Sequence, residues 1–268
     1  MQVRVVQPTY FPGTDPDEKI AQFLIKEMEK AEKDSLTVLP EYSNAGGISD
    51  PESEKKAMKR AEWMLRRASE IAKAKEAYIA INVLEERDGK IKNSTYLFDK
   101  NGEAAFIYDK IHLPPSELIL GVVRGEGPCV CDLDGVRYGF LTCYDVYFNE
   151  QIEYLASKKP DIILLPGYQR GESSDIIRSQ IKLIAFRCNA FLLKSSYSME
   201  NDERGGCSAI VSPEGKIVAD MGKSVGSVRA EIDPKYKYTR TAGFGGGVIR
   251  NDDFINDGLC PEVFEKTK

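Results

Sequence analysis

Histidine is nearly missing from this chain of 268 residues, which carries one, His112. Zinc hydrolase sites usually take two or three histidines, so that class is all but excluded, as are phosphodiesterases built on a metal-binding histidine pair. A Ser-His-Asp or Cys-His catalyst would have to use His112 and no other. Positive charge is not in excess either. The 37 Lys and Arg against 42 Asp and Glu leave a net charge of -5, without the basic face that nucleic-acid phosphates require. No apolar run approaches the ~20 residues of a membrane span. The opening MQVRVVQPTYF lacks the basic segment and apolar core of a secretory leader. These absences predict a cytoplasmic protein with neither nucleic acid nor membrane as partner.

Six cysteines raise the question of a disulfide framework. A chain this long buries roughly three quarters of its unfolded surface and needs no such staple. Cys129 and Cys131 stand two apart on a predicted strand, facing the same way but poorly placed to bond each other. No spacing matches paired zinc-binding cysteines. All six therefore read as reduced thiols. Five, with Cys188, Cys207 and Cys260, read as small buried apolar residues, and Cys143 is considered separately below.

Apolar periodicity predicts strands at 3–6, 36–39, 78–83, 162–165, 191–194 and 228–232. Helical spacing appears over 16–33, 52–75, 148–157 and 173–188. Hairpins are predicted where 92–98 and 104–108 flank Asp99-Lys100-Asn101-Gly102, and where 129–133 and 136–142 flank Asp134-Gly135. A third joins 209–211 to 216–219 around Pro213-Glu214-Gly215. Hairpins mixed with strand-helix-strand units predict an α/β sandwich with mixed sheets. Neither a repeat nor a linker divides the chain. From Asp233 onward the sequence is rich in glycine and charge and reads as an extended arm. Its GFGGG run lacks the strand-to-helix setting of a dinucleotide or phosphate loop, so it reads as a flexible terminal loop.

Three strand ends carry chemistry. In RYGFLTCYDVYFNE an apolar strand runs into Cys143, with a helix beginning near Phe148. Converging backbone N–H groups at such a turn favour a thiolate and can hold an oxyanion. Position alone leaves Cys143 open between a nucleophile and one more buried thiol. In LTVLPEYSN a buried strand delivers Glu41 just past its carboxyl end, where open α/β sheets gather ligands, although a loop glutamate is the plainer reading. In YDKIHLPPSE a strand ends at Asp109-Lys110 before a proline-rich loop; Lys110 and Glu117 could each be solvated charges, and His112 reads as a hydrogen-bonded structural imidazole.

Taken together, Glu41 in LPEYSN, Lys110 in YDKIHL and Cys143 in GFLTCYDVYF resemble the catalytic triad of the nitrilase superfamily of carbon–nitrogen hydrolases. RCNAFLLKSS and GGCSAIVSPEGKIVAD are similar to that family's later strands and hairpin. The resemblance implies a four-layer α-β-β-α sandwich with two mixed β-sheets over residues 1–240, with 241–268 as a C-terminal extension or arm. It implies a homodimer formed through the helices flanking the sheets. It also implies an amidase-type hydrolase that cleaves a non-peptide carbon–nitrogen bond of a small linear amide or N-carbamoyl compound. The path is a cysteine thioester, without cofactor or metal. Glu41 would be the base, Lys110 and the N–H of Tyr144 the oxyanion partners, and Glu117 the additional glutamate that positions substrate and water. A nitrile hydrolase and a silent binding protein on the same scaffold are the alternatives, with a papain-like Cys143–His112 pair as a third. Departures occur at Phe148-Asn149-Glu150, where the family often has Phe-Pro-Glu, and at LLPGYQRG, which helps shape the acyl pocket in relatives. Arg170 and Arg204 are candidate anchors for a substrate carboxylate. Tyr144, Tyr168 and Tyr197 are candidate pocket-lining residues.

Overall fold

The computed structural model describes residues 1–10, 17–46, 50–127 and 129–261. Residue 16 of the first predicted helix and residues 262–268 of the arm lie outside the described residues. Along the chain come β1 (Gln2–Gln7), α1 (Asp17–Met28), β2 (Leu36–Val38), α2 (Pro51–Met58), α3 (Ala61–Lys75), β3 (Tyr78–Arg87), β4 (Lys90–Phe98) and β5 (Ala104–Asp109). There follow α4 (Pro115–Leu120), β6 (Val130–Leu133), β7 (Val136–Phe140), α5 (Asn149–Lys158), β8 (Ile162–Pro166), α6 (Ser174–Cys188) and β9 (Phe191–Ser195). The last elements are β10 (Ala209–Val211), β11 (Ile217–Asp220), β12 (Gly226–Glu231), β13 (Thr239–Thr241), β14 (Val248–Arg250) and α7 (Asn251–Asn256).

The strands form two six-stranded sheets, ordered β12-β1-β2-β3-β4-β5 and β11-β10-β9-β8-β7-β6. In each, three parallel strands sit at the centre and antiparallel strands complete the edges. Such sheets must be covered on both faces, and alternation along β3 shows how. Tyr78 and Ala80 join the core between the sheets, packed with Phe140, Leu164 and Leu193. Ile79 and Ile81 face outward onto Leu24 of α1 and Met64 and Ala68 of α3. On the far side α6 buries Ile181, Ile184, Ala185 and Cys188 against the second sheet. The result is the predicted α-β-β-α sandwich.

Two expectations are corrected. The helix read over 52–75 is two helices, because the N–H groups of Lys59 and Arg60 donate to carbonyls three residues back (Lys56 O, Ala57 O), tightening the turn and re-aiming the chain. The tail is not simply extended. Between β13 and β14 the glycine run turns a hairpin, and α7 follows; Asn189, at the left-handed end of α6 (φ 49°), ties both down through Tyr238 and Asp252. Among the cysteines, Cys129, Cys188 and Cys207 are buried as expected, whereas Cys131 is half-buried and Cys260 exposed; all are free thiols.

Candidate active site

Four chain segments leave strand ends at one rim of the sandwich. Glu41 follows β2 by way of Leu39-Pro40, Lys110 follows β5 directly, Cys143 follows β7 after Leu141-Thr142, and Tyr168 to Glu172 follow β8. Together with α4 they enclose a cleft of about 550 Å³ lined by Glu41, Lys110, Glu117, Cys143, Tyr144 and Arg170 among others. Sheet one thus supplies the acid and the ammonium, and sheet two the thiol.

The sulfur is aimed by backbone geometry. Thr142 is still extended (φ -130°, ψ 116°), but Cys143 turns to φ 44°, a left-handed conformation that costs a side-chain-bearing residue ~1–2 kcal/mol. A short 3-10 turn, Cys143–Tyr147, follows. Asp145 holds this corner, accepting hydrogen bonds from Thr142 N (2.8 Å), His112 N (3.0 Å) and Tyr108 OH (2.8 Å). His112 lies behind the corner and not among the cleft-lining residues. Its Nδ1 is 3.0 Å from Asp145 and 2.9 Å from Gln151, and its ring stacks on Phe148 at 3.8 Å. The structural reading of His112 holds, and the papain-like pairing loses its geometry.

Lys110 Nζ donates to Glu41 Oε1 at 2.8 Å and to Glu117 Oε1 at 3.0 Å, all three side chains being buried. Asn93 Nδ2 donates to the same two oxygens at 2.8 Å each, and Tyr42 OH donates to Glu117 Oε1 at 2.6 Å. Asn82 fixes this arrangement, donating to Asn93 Oδ1 (2.7 Å) and accepting from Tyr42 N (2.8 Å). The other oxygen of Glu117, Oε2, is buried with no hydrogen-bond partner among the described residues. An acceptor left in that state favours a ligand donor beside it.

The charges follow from these neighbours. Burial opposes the Lys110 cation, but Glu41 and Glu117 outweigh it and hold its pKa above the ordinary lysine value. Burial, and next the negative charge of Glu41, raise Glu117 against the pull of Lys110. For Cys143, burial and then Glu41 push the thiol well up, although Lys110 and the N–H of Tyr168 pull the other way. Burial and Glu41 thus work against the thiolate that the position of Cys143 at the turn favours.

Tyr144, Tyr168 and Arg170 line the cleft. Tyr197 does not; it is fully buried one layer behind, edge-on to Tyr168, with its hydroxyl on Tyr42 O (2.9 Å). Arg204 is exposed and away from the cleft, bridging backbone with Ser173. Sequence reasoning missed Asn82, Asn93, Tyr42, Tyr147 and Glu172. The polar Asn82 inside the apolar run YIAINVL was the available signal.

The carbon-nitrogen hydrolase family matches residues 2–240. The chain belongs to that family. Over 232 residues it is 29% identical to the 2-oxoglutaramate amidase of Bacillus subtilis, covering 81% of this chain and 85% of that one. An omega-amidase of Saccharomyces cerevisiae is 23% identical over 259 residues, covering 83% and 84%. Among solved structures, an amidase from Nesterenkonia sp. AN1 superimposes with a TM-score of 0.77 at 18% identity, covering all of this chain and 98% of that one. This carbon-nitrogen hydrolase shares that amidase's fold.

Proposed function

We propose that this protein hydrolyses a small linear amide through an acyl-enzyme on Cys143. The observation that carries the reading is the convergence of Glu41, Lys110 and Cys143, distant in sequence, in one cleft. Because burial and Glu41 disfavour the thiolate, attack needs a base in place. Glu41 takes the Sγ proton as the sulfur bonds to the carbonyl carbon. Lys110 and the Tyr144 N–H stabilise the oxyanion, a donor of this kind contributing ~3–4 kcal/mol. As the C–N bond breaks, the proton passes from Glu41 to the departing ammonia. Water, deprotonated by Glu41, then opens the thioester and releases the acid and the thiol. Glu117 Oε2, the unpartnered acceptor, accepts a hydrogen bond from an N–H of the substrate amide and afterwards one from the attacking water. Tyr144 and Tyr168 form the walls.

The amidase names of the B. subtilis and yeast relatives support amides over nitriles. N-carbamoyl compounds present the same terminal carboxamide and belong to the same reading. The scheme assigns no step to a metal or cofactor. A cytoplasmic homodimer completes the proposal: no helix among the described residues is long and apolar enough to cross a membrane, and α6 leaves Ile176 and Leu183 exposed on its outer side. The hydrolase domain would comprise 1–240, with 241–268 as its C-terminal extension.

Ammonia release across aliphatic amides, dicarboxylic monoamides and ureido acids, compared between wild type and Cys143→Ala, tests the reading. Loss of all activity in the variant, with an acyl mass shift on the wild-type Cys143 peptide after brief exposure, is expected. Unchanged ammonia release by Cys143→Ala would overturn it.

A further inference from the structure

The outer part of the cleft holds two opposite charges that do not neutralise one another. Arg170 and Glu172 both lie on the loop after β8, and both line the cleft. The Arg170 guanidinium lies over the Tyr168 ring at 4.5 Å and the Tyr10 ring at 5.7 Å, and Nη1 donates to Tyr10 OH at 3.0 Å. Among the described residues it has no carboxylate within ion-pair distance. Glu172 accepts from Tyr147 OH and from Gly171 N (3.2 Å), and among the described residues it has no cation within that distance. Two opposite unit charges about 4 Å apart attract by ~4 kcal/mol at the effective dielectric of a protein surface. Here each is stabilised by aromatic or hydroxyl contacts rather than by the other.

Deeper in, the positive charge of Lys110 is already matched by Glu41 and Glu117. A charged substrate therefore finds no free cation at the reacting end. Its recognition falls to the outer pair, one residue for each sign.

Resting on the amidase reading, we propose that the substrate is zwitterionic: a carboxamide at one end, and a carboxylate and an ammonium together at the other. Arg170 takes the carboxylate in a forked pair of hydrogen bonds, and Glu172 takes the ammonium. A linear amino acid bearing a side-chain carboxamide has this form. A monoamide of a plain dicarboxylic acid satisfies Arg170 but leaves Glu172 close to its chain, and a neutral amide satisfies neither.

Four probes of matched length separate the contributions: L-glutamine, glutaric acid monoamide, 4-aminobutyramide and butyramide. Ammonia release gives kcat/KM for each with the full chain, with Arg170→Met and with Glu172→Gln. The wild type is expected to prefer glutamine over each singly charged probe by roughly ten-fold. Glu172→Gln should abolish the preference over glutaric acid monoamide, and Arg170→Met the preference over 4-aminobutyramide. These are ratios within one preparation, so a reduced folded fraction cancels. A wild type that favours glutaric acid monoamide or butyramide, or ratios that neither substitution moves, would overturn the zwitterion while leaving the amidase intact. Release from none of the probes, with no mass shift on the Cys143 peptide in the wider amide screen, would overturn the amidase reading itself and this inference with it.

Discussion

Replacing Lys110 by methionine keeps the volume and removes the charge on which two buried carboxylates converge. Glu41 Oε1 and Glu117 Oε1 are each 2.8 Å from Asn93 Nδ2, so they stand no more than about 5.6 Å apart. Two like charges at ~5 Å repel by ~3 kcal/mol at an effective dielectric of 20. Removing one partner of a buried ion pair costs ~3–5 kcal/mol. Glu117, already raised by burial and by Glu41, loses the lysine that holds it down, so its carboxyl rises further and takes up a proton. A carboxyl raised in the folded state destabilises as pH climbs from the ordinary carboxylate range through the raised value. Lys110→Met should therefore lower the midpoint of urea unfolding strongly at pH 8 and much less at pH 5. Adding Glu117→Gln should recover most of the pH 8 loss, because a single carboxylate remains. Activity should fall about 10²- to 10³-fold through loss of the oxyanion donor. An equal shift at both pH values, or no recovery in the double variant, would refute the electrostatic account of this cluster.

The left-handed Cys143 gives a second expectation: Cys143→Gly should be more stable than Cys143→Ala by ~1 kcal/mol in thermal unfolding, since both lack the sulfur and only glycine is unstrained at φ 44°. His112→Asn should retain amidase activity within about ten-fold, with far less loss than the 10²- to 10³-fold of an oxyanion donor, because the ring supports Asp145 from outside the cleft. The His112 pKa is raised, first by its hydrogen bond to Asp145. Its contribution is thus complete below the ordinary imidazole value and is lost as pH rises through the raised one, so the stability gap between wild type and His112→Asn should narrow between pH 6 and alkaline pH in urea melts.

The sandwich was legible because burial on both faces demands apolar runs, as in IILLP of β8, and helices demand the spacing seen in α6. The reacting groups were legible because each stands at the end of such a run. What sits between them was not. Asn93 lies beside Ser94 and Thr95 on a strand that reads as partly polar, and nothing local says that its amide joins two carboxylates. The upward shift of the Cys143 thiol comes from burial and from Glu41, about a hundred positions away in the chain. Tyr197 was misplaced because Tyr168 intervenes, and Arg204 because its loop turns outward. The tail was misread because its helix is short and its anchor, Asn189, belongs to a distant element.

Because the thiol rides on one sheet while its base and ammonium ride on the other, turnover depends on how the two leaves of the molecule are seated against each other. Side chains along that seam, Tyr108 stacked on Phe140 for example, are far from solvent and touch no reacting atom. Trimming them should slide one leaf against its mate by fractions of an ångström, enough to dull the enzyme at temperatures where it remains wholly folded. Turnover measured on such variants should therefore fall before their melting temperature does.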